Sequence, residues 1–396
     1  MRHTDGVPQT SSPYARLLAA TQDLDTPFAV IDAPALWANA DDLVRRAGGV
    51  PIRVASKSVR VRSILEGTLA RDGFAGVMSY SLAESNWLVD NGIDDILLAY
   101  PTTSRRSLDY LVADERRRAQ ITVMVDSTES LDHIDSLLGA SHPSIRVCID
   151  VDSSLKLGPV HLGVRRSPVH TAEQAGTLAA AIAARPGFDL VGVMFYDAQI
   201  AGLPDSSPAV RLVKRRSAAD LLERRSKVVD AVSQHAKLEI VNAGGTGSLE
   251  VTGQDPAITE LTAGSGLFAP TLFDGYDAFD AHPAAYFVLS VVRKPAPDIA
   301  TLFAGGYIAS GPTNKNRQPT PTWPEGLKAI GTEGAGEVQS PVKGEAARDL
   351  NIGDRVVMRH AKAGEMCERF NEVALVAADG TTRRVPTYRG EGKNFG

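Results

Sequence analysis

Residues 51–60 read PIRVASKSVR: a short apolar run, Ile52, Val54 and Ala55, ending in a lysine with a serine on either side. Such a run reads as a buried β-strand with Lys57 at its carboxyl end. The charged form of a lysine is costly to bury there unless something uses it. Two readings follow. The side chain snorkels to solvent and carries no chemistry, or it is desolvated, its pKa is lowered and its amine forms a Schiff base with a carbonyl.

Outward from this strand the pattern repeats. Strand candidates follow at 74–78, 95–99, 121–125, 145–151, 190–196, 238–242 and 260–263. Amphipathic or alanine-rich stretches separate them, at 59–71, 83–91, 104–113, 128–138, 171–184 and 211–235, and 247–258 has room for only a short helix. Strands alternating with helices predict an α/β fold paired through right-handed crossovers. Eight such units predict a closed (β/α)8 TIM-type barrel over residues 25–283, with an open doubly wound sheet as the alternative. Before Lys57, residues 27–31 are strand-like, 33–46 have helical spacing through Leu36, Ala40 and Leu43, and 1–24 read as a polar, peripheral extension.

After Pro283 the helical periodicity stops. Residues 286–294, 301–303, 336–340, 355–359 and 373–377 read as strands joined by Gly, Pro and Asp turns, which predicts a C-terminal mainly-β domain over 284–396. The strand within 25–32 can join it. Residues 311–323, GPTNKNRQPTPTW, are too polar and proline-rich for core and read as a loop.

The 396 residues, 43% hydrophobic and 22% charged, are ordinary for a soluble globular protein. A net charge of −5 gives no reason to expect nucleic acid or an anionic membrane as partner. Two cysteines, Cys148 and Cys367, make no disulfide framework and fit a reducing compartment. The opening MRHTDGVPQTSSPY lacks a signal-peptide core and no run approaches a membrane span, so a cytoplasmic location is expected. The basic run at 211–227 reads as a solvated helix face, with Leu212, Ala219, Leu222 and Val229 turned to the barrel.

In a barrel, chemistry sits at the carboxyl ends of the strands, and the loops after the seventh and eighth often hold phosphate. Those loops read Asn242-Ala-Gly-Gly-Thr-Gly-Ser248 and Ala263-Gly-Ser-Gly266. Glycines let backbone N–H groups approach an anion, and Thr246, Ser248 and Ser265 add hydroxyl donors. A phosphate site facing an amine is what an aldehyde-bearing phosphate cofactor requires, and that cofactor is pyridoxal phosphate (PLP).

These features resemble the alanine-racemase-type (fold type III) PLP proteins, and within them the D-threonine aldolase and D-serine dehydratase branch, described as amino acid deaminase/aldolase. The likeness spans nearly the whole chain: LDTPFAVID, the Lys57 strand, GVMFYDAQIAG at 192–202, the two glycine loops and the closing IGDRVVMRHAKAGEMCERFNEV. The resemblance implies that Lys57 holds PLP as a Schiff base. It implies that Gly245, Thr246, Gly247, Ser265 and Gly266 hold its phosphate, and that Arg165 and Tyr196 contact the ring or its substituents. It also implies a divalent metal, zinc or manganese, in the C-terminal domain. The branch holds that metal through a histidine and a cysteine or aspartate two residues apart; here His360 and Cys367 are seven apart. A histidine usual just upstream of the cofactor lysine is replaced by Val54 and Ala55.

The activity implied is a lyase acting on D-3-hydroxy amino acids, by aldol cleavage or by dehydration and deamination, in a homodimer. An amino acid racemase is the alternative; its second base, on the opposite face, would be a tyrosine from the β-domain of a partner subunit, for which Tyr286, Tyr307 and Tyr388 are available. A non-catalytic PLP-binding protein is a third reading.

Overall fold

The structure is a computed structural model that describes residues 12–312 and 314–396. The opening MRHTDGVPQTS, part of the stretch read as free of a signal peptide, lies outside the described residues. Among those described, no helix is long and apolar enough to cross a membrane.

Eight parallel strands close into a barrel: Ile52–Ala55, Phe74–Ser79, Ile96–Leu98, Ile121–Val125, Ile145–Asp150, Phe188–Phe195, Ile240–Ala243 and Glu260–Ala263. The last pairs with the first, Ala263 lying opposite Val54. These strands read as unbroken apolar runs because both of their faces are covered. Val123 and Val125 face the outer helices, while Met124 between them points into the barrel with Leu97, Cys148 and Met194. Helices follow the strands at Arg62–Leu69, Leu82–Asp90, Arg105–Val112, Thr128–Leu138, Ala172–Ala183 and Pro208–Ser233. After the seventh strand only Leu249–Thr252 is helical, and the helix Ala33–Ala47 packs there instead, against Leu249–Thr252 and Ser265–Phe268.

The inward face of Pro208–Ser233 differs from the expected one. Leu212 and Leu222 are exposed, and Ser217, Leu221, Arg225, Val228 and Val232 are buried. Arg225 sets this rotation: its guanidinium lies 3.0 Å from Asp255 and 3.5 Å from Asp197, both buried.

The first and last described segments share one β-domain. Phe28–Asp32 lies between Ala285–Ala296, to which it is antiparallel, and Glu372–Val376, to which it is parallel. All five of its residues are buried. The preceding segment is not peripheral: the helix Pro13–Ala19 buries Leu17 against Phe28, Val30 and Tyr286, and the Tyr14 ring stacks on Trp323. Residues 311–323 are not all loop either. Thr320–Trp323 forms an edge strand on Arg355–Arg359, a place where Pro321 leaves no inner ladder bond missing. The strand expected at 336–340 lies at Gln339–Lys343.

Barrel and β-domain meet at Glu84, in the first turn of Leu82–Asp90. Its carboxylate accepts from the Tyr80 amide at 2.8 Å and from the Tyr388 hydroxyl at 2.9 Å. Burial outweighs these bonds and pushes its pKa up to about 7. The folded state therefore keeps a proton that the unfolded chain releases at lower pH. Stability from this group is full below the unfolded carboxylate pKa and declines as the pH rises through about 7, by ~3 kcal/mol. Glu84→Gln should flatten the fall in Tm between about pH 5 and 8. Thermal unfolding across that range checks it, and an unchanged slope would assign the dependence to other groups.

Candidate active site

The first barrel strand ends at Ala55, and a 3-10 turn, Ser56–Ser58, carries Lys57 out of the sheet. The turn is pinned from several sides. Ser56 Oγ donates to the Met78 carbonyl at 3.1 Å, Arg60 Nε donates to the Lys57 carbonyl at 3.1 Å, and the Arg60 guanidinium pairs with Glu368 of the β-domain at 2.5 Å. Lys57 is not desolvated as its strand-end position suggests; its side chain is exposed within a cavity at the carboxyl ends of the strands. Lys57 Nζ donates to the Tyr100 hydroxyl at 3.2 Å. Burial raises the Tyr100 pKa, but the charge and hydrogen bond of Lys57, with the charges of Arg166 and Lys362, outweigh it and leave the phenol below its ordinary value.

The cavity, of about 300 Å3, is lined by Lys57, Tyr196, Gly245, Thr246 and Ser265 together. The two glycine loops meet there. Thr246 Oγ1 lies 3.4 Å from Ser265 Oγ and accepts from the Gly266 amide at 3.0 Å. Among the described residues no acceptor engages the Thr246 and Ser265 amides. Gly247 and Gly266 do not line the cavity. A Cβ at Gly247 would meet the Tyr276 ring at 2.3 Å, and one at Gly266 would meet Thr246 Cγ2 at 2.7 Å, so both glycines serve the close packing of the loops. A buried support stands behind them: Ser248 Oγ donates to Asp197 at 3.1 Å and Thr252 Oγ1 to the same carboxylate at 2.7 Å, joining the seventh-strand loop to the end of the sixth strand.

The arginine at the cavity is Arg166, not Arg165. Arg166 lies 5.0 Å from the Tyr196 ring centroid and 5.7 Å from that of Tyr100, while Arg165 is exposed and lines nothing here. Sequence reasoning also misses Tyr100, Arg317 and Lys362. Tyr100 had a signal, since it directly follows the third strand's end. The other two reach the cavity from the β-domain, in the turn Lys315–Arg317 and the loop after Arg355–Arg359, and nothing local marks them. Burial pushes the Lys362 pKa down and Glu365 pulls it back up, while the Lys57 and Arg317 charges add to the fall.

The expected metal pair is not among the residues that line the cavity. His360 and Cys367 are both buried and neither is among the lining residues. His360 Nδ1 faces the Ala285 carbonyl at 3.1 Å, and its Nε2 has no partner, so one imidazole lone pair is free. Cys367 packs in the apolar core beside Met366 and Phe370, where burial pushes its thiol up to about 12, against the Arg60 charge. Among the described residues no group of three or more His, Cys, Asp or Glu side chains could hold a metal. The side chain two positions after His360 is a cation, Lys362.

Of the racemase candidates, Tyr286 is buried with its hydroxyl on the Pro283 carbonyl, and Tyr388 is buried on Glu84. Tyr307 packs between Phe287 and Phe370. None lines the cavity.

An amine after strand one and hydroxyl-bearing glycine loops after strands seven and eight, under a β-domain roof, define a barrel protein built to hold a phosphorylated carbonyl compound. The chain belongs to the family described as "Alanine racemase, N-terminal domain", whose profile matches residues 31–270. No curated protein matches by sequence. Among solved structures, the chain is similar to D-threonine aldolase from Filomicrobium marinum, at 20% identity and a TM-score of 0.78, covering 93% of this chain and 96% of that one. It is also similar to D-threo-3-hydroxyaspartate dehydratase from Delftia sp. HT23, at 21% and 0.73, covering 92% and 97%. Alanine racemase from Clostridium difficile 630 matches at 15% and 0.63, covering 92% and 99%. At these identities the likeness carries the fold.

The cavity fits PLP. Lys57 offers an amine, Thr246 and Ser265 offer hydroxyls and amides to a phosphate, and Tyr196 offers a ring face within the same space.

Proposed function

We propose that the protein is a PLP-dependent lyase acting on D-3-hydroxy amino acids. The observation that carries this reading is the single cavity shared by Lys57 and the Thr246 and Ser265 loops. The family and the aldolase and dehydratase among its structural relatives support it.

PLP supplies an electron sink for the pair released when a bond at Cα breaks. The chain's own groups do the rest. Thr246 and Ser265 hold the phosphate, and Arg166, set over Tyr196 and Tyr100, supplies positive charge to the cofactor's oxygen substituents. Lys57 would hold the cofactor through its amine and, when not so engaged, would be a base in the same cavity. The Tyr100 hydroxyl, which accepts from Lys57 Nζ at 3.2 Å, lies beside that base. Removal of the Cα proton by Lys57, with departure of the 3-hydroxyl, gives dehydration. Removal of the hydroxyl proton by a base in the cavity, with cleavage between Cα and Cβ and return of a proton to Cα, gives glycine and an aldehyde. No step is routed through His360 or Cys367. The homodimer implied by the resemblance belongs to this reading.

Product analysis tests it. Pure protein with PLP should convert D-threonine to glycine and acetaldehyde, or D-serine to pyruvate and ammonia. Interconversion of L and D forms alone would replace the lyase by a racemase, and no conversion of any D-amino acid would overturn the reading.

A further inference from the structure

The cavity is unusual in its charge. Lys57, Arg166, Arg317 and Lys362 line it, and no aspartate or glutamate does. Resting on the lyase reading above, two of the four cations are already engaged: Lys57 by the cofactor's carbonyl carbon, and Arg166 by its place over Tyr196 and Tyr100. Arg317 and Lys362 are left, both from the β-domain.

Among the described residues neither forms an ion pair with a carboxylate. Arg317 has Nε and Nη1 buried with no partner, an orphaned donor pair inside a cavity wall. Lys362 Nζ is held only by a hydroxyl, Ser310 Oγ, at 3.0 Å. The carboxylate acting on Lys362, Glu365, is outside the lining and accepts from the Ser310 amide at 2.7 Å. Buried guanidinium donors left unpaired are costly, and the cost is recovered when an anion enters. A neutral 3-hydroxy amino acid brings one carboxylate and leaves one of the two cations without a counter-charge. A substrate with a second carboxylate satisfies both.

We propose that Arg317 and Lys362 form a two-cation subsite that selects D-3-hydroxy amino acids whose side chain carries an acid. The subsite lies where the C-terminal segment carries a lysine two residues after His360, so fixed ammonium and guanidinium charges orient the substrate.

Two measurements test this. In PLP-loaded protein, kcat/KM is compared for 3-hydroxy-D-aspartate, D-serine and D-threonine. The acid should be preferred by about 50-fold or more, and Arg317→Leu should collapse that ratio toward unity, with Arg317→Lys restoring part of it. Calorimetric titration with succinate and with butyrate gives a readout independent of turnover. Succinate should bind more tightly by a similar factor, and Arg317→Leu and Lys362→Met should each erase the difference. Equal loss toward acidic and neutral substrates, or no preference for succinate, would overturn the subsite. A protein that binds no PLP but still prefers succinate would overturn the lyase reading and leave the subsite standing.

Discussion

Lys57→Ala should give a protein without the Schiff-base absorption band, whose turnover falls by on the order of 10⁴-fold or more, because the covalent attachment and the first base are lost together. The change should cost little stability. The Lys57 side chain is exposed within the cavity, and its one hydrogen bond is to Tyr100. Non-covalent PLP should still bind, since Thr246 and Ser265 are untouched. Equilibrium dialysis should find it in the variant while the Schiff-base absorption is gone. Tyr100 provides a further check. With the Lys57 charge and hydrogen bond removed, the causes that depress the phenol weaken and its pKa should rise. A small added amine should restore part of the turnover. The other lysine on the cavity, Lys362, is the competing attachment point. A Lys57→Ala protein that kept its Schiff-base absorption band, with Lys362→Ala losing it, would move the covalent site to the β-domain wall.

The barrel was readable because each of its strands is covered on both faces and so appears as an apolar run, bounded by segments of helical period. The positions of Lys57, Thr246 and Ser265 followed from that count. What could not be read depends on contacts distant in sequence. Arg165 and Arg166 are adjacent, and the exit from the fifth strand passes through a small hairpin, Leu155–Leu157 with Val160–Leu162, before reaching them. Nothing in the local pattern says which of the two turns inward. The face of Pro208–Ser233 was misplaced because apolar spacing favoured Leu212 and Leu222, whereas the buried ion pairs of Arg225 set the rotation. Arg317 lies in a stretch whose polarity reads as loop, and its edge strand exists only because Arg355–Arg359 offers a partner. The His360 and Cys367 pairing rested on resemblance, and neither side chain is among the lining of the cavity.

Gly364→Ala should be a strongly damaging methyl addition, and it tests whether barrel and β-domain make one site. Gly364 has φ of 95° and ψ of −51°, outside what L-residues adopt at low cost. A Cβ there would lie 2.0 Å from the Lys57 carbonyl oxygen and 3.0 Å from Ser58 Cα. Both are backbone atoms, so no rotamer change relieves the overlap. The Lys57 turn cannot retreat, being tied by Ser56 to Met78, by Arg60 to Glu368, and by the Tyr388 amide to the Arg60 carbonyl at 2.9 Å. On the other side, the loop is anchored by the Thr271 and Leu272 amides, which donate to the His360 and Ala361 carbonyls at 3.1 and 3.2 Å. The backbone strain alone costs about 1–3 kcal/mol, and the overlap must add to it by displacing either the lysine turn or the loop bearing Lys362 and Ala363. The expected result is a Tm lowered by several degrees, weaker PLP binding, and a loss of turnover exceeding the loss of fold. Thermal unfolding and cofactor titration on the same sample separate the two effects. Unchanged Tm and unchanged PLP affinity would mean that the loop does not rest on the Lys57 turn in solution. The β-domain cations would then have no fixed place at the barrel mouth.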